Sequence, residues 1–147
     1  MARYVTQVRT NRSVADVFAY MADLRNFAEW DPGVRSVVQV EGEGGGPASV
    51  FDVTVKGVRD TTLRYRTVEH TAPSNLLVVA ESSTLVSTDR VTVREDGDAT
   101  IVVYDADLQL KGLARIASPG LALVFRRIGD RAAAGLRRVL DGVDVPR

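Results

Sequence analysis

Three side chains in the middle of this 147-residue sequence could transfer protons: Tyr65, Asp89 and Tyr104. Each falls in a segment of alternating character, on the same side of the alternation as the apolar residues. A carboxyl group removed from water has a raised pKa and can act as a general base, and a tyrosine hydroxyl can donate to a ligand carbonyl. These residues are therefore candidates for acid–base chemistry, although a strand bulge or a sheet edge would leave Asp89 facing water.

Other kinds of site lack the residues they need. The sequence has no cysteine, so a thiol nucleophile, a disulfide and a thiolate zinc site are excluded, and we expect no metal and no cofactor. The only histidine, His70, is expected on the outer face beside Arg64 and Arg66, which argues against a catalytic triad. The segment GEGGGP lacks the spacing of a phosphate-binding loop and predicts a hairpin loop. The 19 basic and 19 acidic residues balance, which argues against nucleic-acid binding.

The elements that must position these side chains begin with a strand over Ala2–Thr10 and a helix capped by Ser13. A second short helix is predicted from Asp23 to Trp30, and it ends at Asp31-Pro32-Gly33, because the residue before a proline avoids helical geometry. Six strands follow, with the segments GVRSVVQVE, SVFDVTVKG, TTLRYRTVEHT, LLVVAES, TLVSTDRVTVRE and ATIVVYDADLQL.

The last third of the sequence changes to helical spacing. Apolar residues recur every three or four positions between Leu121 and Val139, and arginines fill the other side. Pro119-Gly120 predicts a short first segment, a break, and a main helix from about Leu121. An antiparallel sheet with one apolar face needs a cover, and this helix carries the matching stripe.

The segment SVADVFAYMADLRNFAEWDPGV, a helix followed by Trp-Asp-Pro, and the strand-Pro-strand segment RYRTVEHTAPSNLLVV carry a resemblance to a known family. With them, nearly the whole chain resembles the START/Bet v 1-like proteins of the SRPBCC superfamily, and in particular bacterial polyketide cyclase/dehydrase and lipid-transport-like proteins. The resemblance implies an α+β helix-grip fold of order β-α-α-β6-α. In that fold a curved antiparallel seven-stranded sheet wraps around a long C-terminal helix and encloses an elongated cavity. We expect residues 1–147 to form a single domain.

The resemblance and the inward positions together predict a cavity lined mainly by apolar groups with a few polar ones. The expected lining residues are Phe27, Trp30, Val38, Phe51, Val53, Tyr65, Ser87, Asp89, Val91, Tyr104, Ala106, Leu108, Leu121, Phe125 and Ile128. Trp30, the only tryptophan, is expected both to anchor the short helices on the sheet and to lie at one end of this cavity.

Two functions fit this cavity. The first is binding or transport of a small hydrophobic ligand, lipid- or polyketide-like, without chemistry. The second is a polyketide cyclase or dehydrase of the aromatase type, assisted by Asp89, Tyr65 or Tyr104. A weaker third possibility is an interaction module that uses the arginine-bearing helix. The sequence shows no signal peptide and no membrane-spanning segment, so we expect a cytoplasmic protein. No strand shows a clear exposed apolar face, so we expect a monomer or homodimer.

Overall fold

The computed structural model describes residues 2–112 and 120–145. Its elements, in chain order, are β1 (Ala2–Thr10), α1 (Val14–Ala22), a 3-10 turn (Leu24–Asn26), α2 (Phe27–Trp30), β2 (Val34–Glu41), β3 (Val50–Val55), β4 (Thr61–Thr71), β5 (Asn75–Glu81), β6 (Leu85–Asp96), β7 (Ala99–Leu110), α3 (Leu121–Val139) and β8 (Val143–Asp144). This order confirms the predicted β-α-α-β6-α arrangement and the start of the main helix at Leu121. The short helical segment predicted before Pro119 falls on residues 113–119, outside the described residues.

The described strands form one curved antiparallel sheet in the order β2-β3-β4-β5-β6-β7-β1-β8. The helix-grip fold is confirmed, and the sheet has one strand more than the seven expected. The extra strand, β8, is two residues long and pairs with β1 at Val8 and Arg9. Because β1 pairs along its whole length with β7, Thr6 lies beside Tyr104 on the inner face.

The turn chemistry predicted at the two ends of the helical region is present. The Ser13 hydroxyl accepts a hydrogen bond from the Asp16 amide and caps α1. At the other end, α2 stops at Trp30, and the Asp31 carboxylate accepts a hydrogen bond from the Gly33 amide at 2.8 Å. That turn places the Trp30 side chain under the sheet just before β2 begins.

A bulge in β2 reverses which side chains face inward in the second half of the strand, contrary to the prediction. The pairing shifts between Val34 and Ser36, so Val37 pairs with Val53 and faces inward. Val38 therefore points outward and is 60% exposed, and its prediction as a cavity residue was wrong. A bulge inserts one residue and reverses the alternation beyond it, which a strict period of two cannot anticipate.

A bulge in β4, between Thr67 and Glu69, brings His70 to the inner side. Its ring packs edge-on against Phe18 with centroids 5.2 Å apart, and Nε2 lies 2.8 Å from the Gly45 carbonyl oxygen. The expectation of an outward histidine was wrong for the same reason as for Val38. The glycine-rich loop that holds Gly45 packs on the end of α1, since a Cβ at Gly45 would lie 2.8 Å from the Ala22 side chain.

Helix α3 covers β1 and α2. Its inward side is built from small residues and leucines, including Ala132, Ala133 and Leu136, all buried. At Gly135 the helix approaches the α2 backbone so closely that a Cβ would lie 1.8 Å from the Trp30 carbonyl oxygen. The absence of a side chain at this position is therefore what allows α3 to reach the aromatic end of the core.

Replacing Gly135 by alanine should destabilise the protein by about 1–3 kcal/mol, because the new methyl group overlaps the Trp30 carbonyl. Helix propensity alone would predict the opposite sign, a gain of about 1 kcal/mol. Urea unfolding followed by Trp30 fluorescence measures the change, with Ala134→Ser on the exposed side of α3 as the control, expected within about 0.5 kcal/mol of wild type. A Gly135→Ala protein as stable as wild type, or more stable, would contradict the described contact.

Candidate functional site

An aromatic cluster forms where α2 meets the inner face of the sheet. The rings of Phe27 and Trp30 stack with centroids 4.6 Å apart and planes inclined by 22°. Trp30 also meets the ring of Tyr104 edge-on at 5.2 Å. All three side chains are buried. Edge-to-face and offset-stacked pairs are the favoured aromatic geometries, so the cluster stabilises the fold beyond its burial alone.

Trp30 and Tyr104 separate two small cavities in the described part of the interior. The first has a volume of about 20 Å³ and the second about 50 Å³. The first is lined by Met21, Asp23, Leu24, Phe27, Trp30, Leu76, Val78, Asp89, Val91 and Tyr104. The second is lined by Tyr4, Thr6, Trp30, Asp31, Tyr104, Ala106, Phe125, Ile128, Gly129, Ala132 and Ala133. The aromatic pair is therefore the partition between them.

A buried carboxyl group faces the first cavity from β6. Asp89 is 4% exposed, and its Oδ2 accepts a hydrogen bond of 2.6 Å from the Tyr104 hydroxyl. Burial raises the pKa of Asp89 to about 7, and the Tyr104 hydrogen bond opposes this by stabilising the carboxylate. Burial also holds the pKa of Tyr104 well above its ordinary value, with a contribution from the charge of Asp89. Near neutral pH, Asp89 can therefore either accept or donate a proton.

A second polar pair lies on the same inner face of the sheet. The hydroxyls of Tyr65 and Ser87 are 2.7 Å apart and both residues are buried. Burial raises the pKa of Tyr65, and the negative charge of Asp89 adds to the effect. Tyr65 lines neither of the two cavities. A role for Tyr65 in chemistry would need a ligand that extends beyond them.

Asp31 faces the second cavity from the turn after α2. It is 9% exposed, and burial raises its pKa, while the Gly33 amide and the charge of Lys56 act in the opposite direction. Its helix-ending role was predicted, but its place beside a cavity was not. No signal in the sequence separates an Asp-Pro-Gly turn that faces water from one folded under a sheet.

The structure places the predicted lining residues in three groups. Those that line the two cavities are Phe27, Trp30, Asp89, Val91, Tyr104, Ala106, Phe125 and Ile128. Those on the inner side but not at these cavities are Phe51, Val53, Tyr65, Ser87 and Leu108. Val38 lies outside, as described above, and the side chain of Leu121 is outside the described residues. Whether any of them contacts a ligand remains a prediction.

The main omissions from the predicted set lie on α1, β1 and β5. Leu76 and Val78 line the first cavity together with Met21. Their signal was present, because β5 alternates like its neighbours and α1 has an apolar face. Tyr4 and Thr6 line the second cavity, but only the strand order places β1 beside β7 and under α3.

The raised pKa of Asp89 gives its effect on stability a definite sign. The folded state holds the proton to a higher pH than the unfolded chain, so this stabilisation is complete below the unfolded pKa near 3.8 and is lost as the pH rises through about 7. The free energy of unfolding of wild type, minus that of Asp89→Asn, should therefore fall by about 2–3 kcal/mol between pH 5 and pH 8.

Urea unfolding of both proteins at the two pH values measures this difference. Asp52→Asn is the matched control, because a hydrogen bond from Arg64 lowers the pKa of Asp52, so its contribution is constant across this range. An equally flat difference for Asp89→Asn would show that Asp89 does not keep its proton in the folded state.

Comparison with known proteins places this geometry in a family. The sequence matches the family described as "Polyketide cyclase / dehydrase and lipid transport" over residues 1–141. No curated protein matches the sequence. The described residues contain no helix that is long and apolar enough to cross a membrane.

Solved structures with the same fold share little sequence with this chain. A START superfamily protein from Mycobacterium smegmatis aligns with a TM-score of 0.77 and 13% identity over 96% of this chain and 98% of that chain. The di-domain ARO/CYC StfQ from the steffimycin biosynthetic pathway aligns with a TM-score of 0.72 and 16% identity over 95% of this chain and 49% of that chain. Ginseng major latex-like protein 151 from Panax ginseng aligns with a TM-score of 0.68 and 11% identity over 95% and 97% of the two chains.

At these identities the structural matches establish the fold, and the sequence match establishes the family. Family and fold together indicate a hydrophobic-ligand-binding or polyketide-cyclase-type protein. The resemblance found in the helix-Trp-Asp-Pro segment is confirmed: this chain belongs to the polyketide cyclase/dehydrase and lipid transport family of the SRPBCC superfamily.

Proposed function

We propose that this protein binds a small hydrophobic, lipid- or polyketide-like ligand between the sheet and α3, as a carrier or binding protein. The observation that carries the proposal is the pair of interior cavities on either side of Trp30 and Tyr104. Their lining is mostly apolar with a few buried polar groups, which is the character of ligand pockets.

The size of the cavities defines what binding requires. Pockets for ligands of drug size have volumes of about 300–1,000 Å³. The two cavities, at about 20 and 50 Å³, must therefore join and widen around a ligand. Trp30 and Tyr104 line both cavities and pack edge-to-face, so a ligand that spans the two cavities must displace at least one of these rings. A bound ligand then replaces aromatic contacts within the core by contacts of its own.

Native mass spectrometry of the protein purified from its own cells provides the direct test, and we expect a co-purified hydrophobic molecule. Filling the second cavity should block binding. Ala132 is 6% exposed and lines that cavity, whereas Ala134 is exposed on the same helix. Ala132→Leu should lower the affinity for a neutral long-chain alcohol by at least about tenfold, and Ala134→Leu should leave it unchanged.

Quenching of Trp30 fluorescence measures the affinity, and thermal unfolding confirms that each variant is folded. Equal affinities for the Ala132→Leu and Ala134→Leu proteins would show that the alcohol binds elsewhere.

A second candidate function, polyketide cyclisation or dehydration, is favoured by one observation. Asp89 combines burial at a cavity, a pKa of about 7 and a hydrogen bond from Tyr104, which are the properties of a general acid–base residue with a positioned partner. A structural neighbour, StfQ, is described as a di-domain ARO/CYC from a biosynthetic pathway, which is consistent with this chemistry.

The catalytic alternative predicts a loss of turnover without a loss of binding. Asp89→Asn should slow conversion of a linear poly-β-ketone thioester by about 10²–10⁴-fold, and Tyr104→Phe should do so by a smaller factor, with affinity for the substrate retained. Chromatography of the cyclised product measures the rate, and Asp52→Asn on the outer face is the control. Turnover unaffected by either cavity variant would remove Asp89 and Tyr104 from the chemistry.

A further inference from the structure

Each of the two cavities has a buried acidic group in its lining, and the charge of Lys56 acts on Asp31 from outside that lining. Asp89 faces the first and Asp31 faces the second, and no lysine, arginine or histidine lines either one among the described residues. Asp23, the other acidic residue at the first cavity, is already paired with Arg25 at 2.6 Å. The linings of the two cavities therefore combine mostly apolar side chains with acidic groups and, among the described residues, no basic ones.

One carboxylate oxygen of Asp89, Oδ1, can accept a hydrogen bond from a ligand. Its Oδ2 receives the Tyr104 hydroxyl, and the described residues provide no donor to Oδ1. A carboxylate oxygen is stabilised by a hydrogen-bond donor, and most strongly by a charged one. Asp89 therefore presents an open position to whatever occupies the first cavity.

The rest of the first cavity suits a positive charge. Phe27, Trp30 and Tyr104 line it beside Asp89. Aromatic rings together with a carboxylate are the groups by which proteins hold organic cations in desolvated sites. A carboxylate ligand would be disfavoured. It would bring a second negative charge close to Asp89, and no cation in the lining would offset that charge.

We propose that the first cavity selects ligands whose polar end is a protonated amine, held by Asp89 Oδ1 and the surrounding aromatic rings, over neutral ligands and over fatty-acid anions. The inference rests on the proposed binding of a hydrophobic ligand and adds the chemical class of the group that the pocket recognises. The apolar part of the ligand extends along the inner face of the sheet past Trp30.

The charged groups around Asp89 also favour a positively charged ligand group at this position. Asp31 and Asp105 both act to raise its pKa, and the buried Tyr104 and Tyr65 stay protonated and neutral because burial raises the pKa of both. An ammonium group beside Asp89 acts against that rise, so the carboxylate forms when the amine binds. At neutral pH this deprotonation costs little, because the pKa of Asp89 is already about 7.

A matched ligand series on the wild-type protein is the test. Decylamine, 1-decanol and decanoate have the same chain and differ in the charge of the polar end. Titration at pH 7 below their micelle concentrations, followed by Trp30 fluorescence, should give affinities in the order amine, alcohol, carboxylate, with about 10- to 100-fold between amine and alcohol. Asp89→Asn should bring the amine down to the affinity of the alcohol, while the outer-face control Asp52→Asn should keep the wild-type order.

The results of this titration distinguish selection for an amine from hydrophobic-ligand binding in general. If the three compounds bind equally well, or decanoate binds best, selection for an amine is overturned while hydrophobic-ligand binding stands. If none of the three binds, both are overturned. An amine preference that survives Asp89→Asn would overturn the assignment of the recognition to Asp89.

Discussion

The structure depends on the contact between α3 and the backbone of Trp30. The helix reaches this point because Gly135 lacks a side chain, and the indole carried by that backbone packs against the rings of Phe27 and Tyr104. A looser approach would widen the second cavity, which α3 lines through Ala132 and Ala133. The contact that anchors α3 on the sheet thus also closes the second cavity. The sequence suggested two roles for Trp30, an anchor and a cavity wall. The contact with α3 supports the first role, and the place of Trp30 in the lining of both cavities supports the second.

Some of the buried polar groups on the inner face of the sheet do not stabilise the fold. An apolar residue at position 89 would avoid the cost of burying a carboxyl group, and Tyr104 offsets only part of that cost. Tyr65 and Ser87 satisfy each other and need no ligand. Asp89 is different because it lines a cavity, and both the catalytic alternative and the inferred ligand class depend on it.

Much of this fold could be predicted from local signals. The Ser13 cap, the Asp-Pro-Gly stop after α2 and the alternation of β3 and β6 each depend on neighbours in the chain, and each is where it was expected. Errors arose where a strand departs from its period, since the bulges in β2 and β4 turned Val38 outward and His70 inward. The site was harder to predict because Asp31 and Tyr4 reach the second cavity only through strand order and the path of α3.

The central claim is that a ligand occupies the interior around Trp30 and Tyr104. Intermolecular nuclear Overhauser effects between a bound alkyl chain and ¹³C-labelled protein test it most directly, because they report proximity rather than affinity. We expect cross-peaks from the ligand to the Trp30 indole, the Tyr104 ring and the Ala132 methyl group, which all line the second cavity. Cross-peaks confined to outward side chains such as Val38, which is 60% exposed, would contradict it.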